Sequence, residues 1–157
     1  MFKDKFLKGH SYFLFGDINK HTQFVEDFVN EYNFSKCYLL NVKDMSIDNY
    51  QNIDDSSKFI QTIGNMKHSR TNKCVIIHIE KLSDITKQCN VVIISIVKIL
   101  HLSLFVLIDT FNHIHSEYHK FVKNNSDYVM VHSSISKQKS FEIFNFFEFP
   151  KYLFLTE

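Results

Sequence analysis

The chain has no alanine and no tryptophan, a single proline and only three glycines, Gly9, Gly16 and Gly64. So little glycine excludes most sites built on it. There is no G-x-S-x-G nucleophile elbow, and no phosphate loop with both of its glycines. Charge of either sign is also in short supply as an excess: 18 basic residues against 17 acidic ones leave a net +1. That balance gives no broad basic field to draw nucleic acid and no acidic one to gather cations. Three cysteines, Cys37, Cys74 and Cys89, form no CxxC and cannot all pair internally. Each lies beside or within an apolar run, which reads as reduced, packed thiols of an intracellular, cytoplasmic protein. No apolar signal segment follows Met1 to Lys5. What remains is 157 residues, 45% of them hydrophobic, enough for one soluble domain with a real core. Phenylalanine, isoleucine, asparagine, lysine and tyrosine are abundant, a bias we read as coding pressure from an AT-rich genome.

The chain is organised around Ser11 to Thr22. Ser11-Tyr12-Phe13-Leu14-Phe15 reads as a short buried strand, Gly16 as a turn, and Asp17 onward as the start of an amphipathic helix. A strand, a glycine turn and a helix N-terminus are the layout of a nucleotide phosphate loop. Here the second glycine is missing, the loop is one residue short, and His21 separates Lys20 from Thr22. The sequence therefore points to an ATPase-like fold whose ATPase machinery has decayed.

Phe24, Val25, Phe28, Val29 and Tyr32 recur at helical spacing. Cys37 to Asn41 reads as a second strand, and Asp44 to Asp55 as a polar, acidic loop. Phe59, Ile60, Ile63 and Met66 suggest another helix. Cys74 to Glu80 is continuously apolar and β-branched until its last residue, as expected of a central parallel strand covered on both faces. Cys89 to Ile108 is apolar enough to raise a membrane span, but Lys98 inside it costs about 3 kcal/mol on insertion scales. The periodicity instead predicts a helix through Leu100, a turn at His101 to Ser103 and a strand over Leu104 to Ile108. A helix around Glu117 to Lys123, a strand over Tyr128 to Val131, a Phe-rich helix over Ser136 to Phe147 and a last strand over Tyr152 to Leu155 complete the chain. Alternating strands and helices predict a three-layer α/β fold, a mostly parallel sheet with helices on both faces and no domain boundary.

Three further groups of residues are candidates for a site or a contact. His113, His115 and His119 follow the end of a strand, and the last two stand one helical turn apart, a metal-like spacing. There is no obvious fourth ligand unless Asp109 turns inward, so surface histidines are the better reading and no metal is expected. Lys67, His68, Arg70 and Lys73 form the one basic cluster, best read as a solvated turn, with nucleic-acid contact only weakly supported. Phe141, Phe144, Phe146, Phe147 and Phe149 exceed what one buried helix face needs. They are read first as core and second as a surface for a protein partner or a second copy of the chain.

From Cys74 to about Phe147 the order of features resembles the genome-packaging ATPases of large DNA viruses, of poxvirus type, within the P-loop NTPases. The residues that carry it are the apolar strand ending in Glu80, then Lys87-Gln88-Cys89-Asn90 opening a helix that ends Leu100-His101-Leu102. The strand Leu104 to Ile108, Asp109-Thr110-Phe111-Asn112-His113, and Asn124-Asn125-Ser126-Asp127-Tyr128 follow in the same order. The resemblance implies Gly16, Lys20 and Thr22 at the phosphates, Glu80 at the metal and Asp109 at the sensor position. The departures are as informative. Where the family has two acids at the strand end this chain has Ile79 and Glu80. Asp109 replaces a polar sensor, commonly glutamine, and Leu100 replaces an arginine. Phosphoryl transfer depends on positioned charges. The resemblance thus implies a catalytically inactive relative without a cofactor, probing partners through its surface in the host cytoplasm or the virion. Its alternatives are a residual enzyme binding ATP and Mg²⁺ weakly, or a DNA-binding subunit related to packaging.

Overall fold

In the computed structural model, residues 6–16, 18–42, 45–66, 72–110, 116–132 and 152–156 are described. Their strands are β1 (Ser11–Phe15), β2 (Lys36–Leu40), β3 (Tyr50–Ile53), β4 (Lys73–Lys81), β5 (Ser103–Thr110), β6 (Tyr128–His132) and β7 (Tyr152–Thr156). The helices are α1 (Ile18–Tyr32), α2 (Ser56–Gly64), α3 (Gln88–Ile99) and α4 (Ser116–Asn125), with a 3₁₀ turn at Leu82–Thr86. The seven strands form one sheet in the order β3-β2-β4-β5-β1-β6-β7, and every pairing is parallel.

Side chains of a strand alternate between faces, so one apolar run can feed two cores. Tyr12, Leu14, Leu39, Ile76, Phe105 and Leu107 point to one face and pack with Val25, Phe28 and Val29 of α1. Phe13, Phe15, Val75, Ile77, Val106 and Ile108 point to the other, against Phe59 and Ile63 of α2, Ile93, Ile94 and Val97 of α3, and Val122 of α4. These are the three layers expected. Burying one such aliphatic or aromatic side chain contributes about 2 kcal/mol, which is why the runs Phe13–Phe15 and Cys74–Ile77 fix the centre of the sheet.

The four connections that carry α1, α2, α3 and α4 share one hand. From β1 the chain passes over β5 and β4 to reach β2, with α1 on the first face. From β3 to β4, β4 to β5 and β5 to β6 it returns in the opposite direction, with α2, α3 and α4 on the second face. Reversing both direction and face preserves handedness, as the rule for parallel crossovers requires.

One local structure departs from the sequence reading. The polar stretch taken as a loop contains β3, an edge strand in which Tyr50, Gln51 and Asn52 are exposed and Ile53 is buried. An edge strand pairs on one side only, so it carries little of the apolar signal that marks a central one. Asp55 then caps α2, its Oδ1 accepting from the Ser57 N–H at 2.8 Å. The segment after β4 forms the 3₁₀ turn, with Leu82 and Ile85 buried beneath it. The Cys89 to Ile108 run is a helix, a turn and a strand as expected, and no helix among the described residues is long and apolar enough to cross a membrane. The Phe-rich helix proposed over Ser136 to Phe147 lies outside the described residues.

Candidate site at the carboxyl ends of the central strands

Open parallel sheets bind ligands beyond the carboxyl ends of their strands, where successive connections leave toward opposite faces. That point here lies between β1, whose following helix α1 covers one face, and β5, whose following helix α4 covers the other. Gly16 ends β1 at φ +118°, a backbone state closed to most side chains, and its N–H donates to the Ile108 carbonyl at 3.0 Å. The turn is thereby tied to the end of β5.

The join between β1 and α1 is short. β1 ends at Phe15 and α1 begins at Ile18, leaving Gly16 and Asp17 between them. A phosphate loop places six residues from its first glycine through its second before the lysine, and those residues wrap the anion with their N–H groups. In this chain Lys20 and Thr22 already belong to the helix, Lys20 exposed and Thr22 half-buried. Between them His21 turns inward, buried, with Nε2 donating to the Phe15 carbonyl at 2.7 Å. The histidine that interrupts the motif in sequence thus holds the start of α1 against the end of β1.

At the neighbouring strand ends, His78 of β4 bridges two elements. Its Nε2 lies 2.9 Å from Asp109 Oδ2 at the end of β5, and its Nδ1 lies 3.2 Å from the Asn41 carbonyl just past β2. Carbonyl and carboxylate oxygens only accept, so the doubly protonated ring is the form that makes both bonds. The second Asp109 oxygen, Oδ1, is buried and has no hydrogen-bond partner among the described residues. Glu80, two residues beyond His78, is exposed, while Ile79 between them is buried. The acid expected at the metal therefore sits at the rim, and the acid at the sensor position is engaged by a histidine.

A cavity of about 800 Å³ opens beside this bridge. Its wall takes in the first turns of α1, α2 and α3 through Asn19, Ser56 and Asn90, and the strand ends through Asn41, His78 and Glu80. Thr22 reaches it as well, so it joins two of the residues expected at a nucleotide, Thr22 and Glu80. Gly16, Lys20 and Asp109 are not among the residues of its wall.

The sequence alone assigns no site role to His78, Asn41 or Asn90. For His78 a signal existed: it is the one polar residue within the apolar run of β4, between Ile77 and Ile79. Asn41, at φ +60°, and Asn90 carry no comparable mark. Among the described residues no group of three or more His, Cys, Asp and Glu is arranged to hold a metal ion. His113 and His115 lie outside the described residues, as does the side chain of His119 on α4. The same is true of Phe141, Phe144, Phe146, Phe147 and Phe149.

The three cysteines are free. Cys37 and Cys74 are register partners on β2 and β4, buried, with the Cys74 thiol donating to Cys37 Sγ at 3.5 Å. Burial pushes the Cys74 thiol well above its ordinary range, and the bond it donates draws Cys37 below its own. Both belong to the core below α1, away from the cavity.

No family model, curated protein or solved structure matches this chain.

Proposed function

We propose that this chain is a P-loop-like protein without phosphoryl-transfer activity, acting through protein contacts as a structural, regulatory or host-interaction factor, in keeping with its resemblance to viral packaging ATPases. The observation that carries the reading is the join between β1 and α1. Two residues separate strand from helix, and His21 anchors the helix to the strand end. A join of two residues is too short to supply the ring of N–H groups that wraps a triphosphate.

The neighbouring positions support the same reading. Asp109 brings a negative charge where a γ-phosphate would be read, and its Oδ2 is taken by His78. An acid facing triphosphate without a metal repels it. A protein that lost chemistry but kept a well-packed fold acts through its surface. The aromatic segment Phe141 to Phe149, richer in rings than one buried helix face needs, is the surface the sequence offers.

Sedimentation velocity of the full chain and of Phe146→Ser tests the contact reading. We expect self-association or partner capture that the substitution abolishes while the melting temperature stays unchanged. A monomeric wild type, with Phe146→Ser lowering stability as a core substitution does, would return the segment to the core.

A further inference from the structure

We propose that Cys37 and Cys74 form a site of reversible oxidation, a thiol pair that closes to a disulfide across β2 and β4. The two are register partners, each the second residue of its strand. Both side chains belong to the core beneath α1, so they leave the sheet on the same face. Their sulfurs lie 3.5 Å apart. Neighbouring strands run about 4.8 Å apart, inside the Cα span of about 4.4–6.8 Å that a disulfide bridges. To reach a bond of about 2.05 Å, each sulfur moves by less than about 1 Å. Cys89, on α3, lies on the other side of the sheet and does not compete for either partner.

The oxidant is a low-molecular-weight disulfide such as oxidised glutathione. Both thiols are buried, so reaction proceeds through local opening of β2, beyond which only β3 lies at this edge of the sheet. Cys37 is the attacking thiol, because the bond donated by Cys74 draws it below its ordinary range while burial keeps Cys74 protonated. The Cys37 thiolate attacks one sulfur of the reagent, forming a mixed disulfide and expelling one thiolate. Cys74 gives its proton to that thiolate, attacks Cys37 Sγ and expels the second. The protein thiols thus lose two electrons and two protons, and the reagent takes them up as two thiols. The new bond closes a ring from Cys37 to Cys74 that contains β3 and α2. Asn41, Asn52, Asp54 and Ser56 of that ring line the cavity at the opposite end of the strands. Oxidation therefore braces one wall of the cavity, and reduction frees it. In a reducing compartment, protein disulfides of this kind are transient and redox-sensing.

The test uses the full chain carrying Cys89→Ser, equilibrated in glutathione redox buffers under native conditions and in concentrated urea. Acid quenching, alkylation and peptide mapping by mass spectrometry then locate every bond. We expect one Cys37–Cys74 crosslink, reversed by dithiothreitol and absent from Cys37→Ser, with an equilibrium constant at least about tenfold higher in the native protein than in urea. Amide hydrogen exchange in β3 and α2 should slow in the oxidised form. Equal constants in the two conditions would mean that the fold does not position the pair and would overturn the assignment, as would mixed disulfides with glutathione alone. Where native oxidation is slow, the chain crosslinked in urea is refolded instead. Recovery of the native circular dichroism with the bond intact supports the site, and failure to refold until the bond is reduced would contradict it.

Discussion

His78 and Asp109 reach each other diagonally across β4 and β5: His78 stands in register with Leu107, two residues before the aspartate, and Nε2 meets Oδ2 at 2.9 Å. With Nδ1 on the Asn41 carbonyl, one ring ties together the ends of β2, β4 and β5. A contact between groups that are partly screened is best measured as a coupling. The double-mutant cycle His78→Asn, Asp109→Asn should give an interaction free energy of about 1 kcal/mol in urea unfolding. Additive effects would mean that the pair contributes nothing to holding the strand ends.

Helix α3 ends with His101 at φ +56°, a left-handed residue. Its N–H donates to the Lys98 carbonyl at 3.1 Å and the Leu102 N–H to the Val97 carbonyl at 3.0 Å, the paired bonds of a Schellman cap. Glycine adopts this backbone without steric cost, and the side chain of His101 is exposed. His101→Gly should therefore stabilise the protein by about 0.5–1 kcal/mol, read from the denaturation midpoint. A loss of stability would show that the histidine ring makes a contact that outweighs the backbone strain.

Tyr12 lies at the centre of the first-face core, stacked between Phe105 and Tyr128, with its hydroxyl donating to the Leu7 carbonyl at 2.7 Å. Burial, then the neighbouring Tyr128, pushes its pKa far above the ordinary value. In the unfolded chain Tyr12 loses its proton near pH 10, while in the folded chain it keeps it. The stability linked to Tyr12 is therefore complete below that pH and is lost progressively as pH rises above it. Tyr12→Phe should cost about 1 kcal/mol at neutral pH through the lost hydrogen bond and should make the alkaline loss of stability shallower. An unchanged alkaline limb would mean that other groups govern it.

The thiols should separate cleanly by access. Cys89 is half-buried at the first turn of α3, whereas Cys37 and Cys74 are buried and Cys74 is held protonated. A thiol reagent on the native protein should modify Cys89 alone, and the other two only after unfolding, with mass spectrometry locating the adducts. Rapid native modification of Cys74 would place β4 nearer solvent than the fold allows.

Much of this architecture was legible because its signals are local. The uninterrupted apolar run from Cys74 to Ile77 announces a strand covered on both faces, and the spacing of Phe24, Val25, Phe28 and Val29 announces the helix that covers one of them. β3 was not legible, because three of its four residues face solvent and it pairs with β2 alone, at the edge of the sheet. The candidate site was legible only in part. Interruption of the phosphate-loop pattern by His21 could be read directly, but not that the ring folds back onto the Phe15 carbonyl. Likewise the bridge from His78 to Asp109 joins residues 31 apart, and nothing in either local pattern specifies the other.

The central claim is that the turn after β1 does not hold a triphosphate, and calorimetric titration of the full chain with Mg-ATP tests it most directly. The account predicts no binding tighter than about millimolar, which corresponds to roughly 4 kcal/mol, and the same isotherm for wild type and Lys20→Ala. Micromolar binding that Lys20→Ala abolishes would contradict it and would restore a nucleotide to the end of β1.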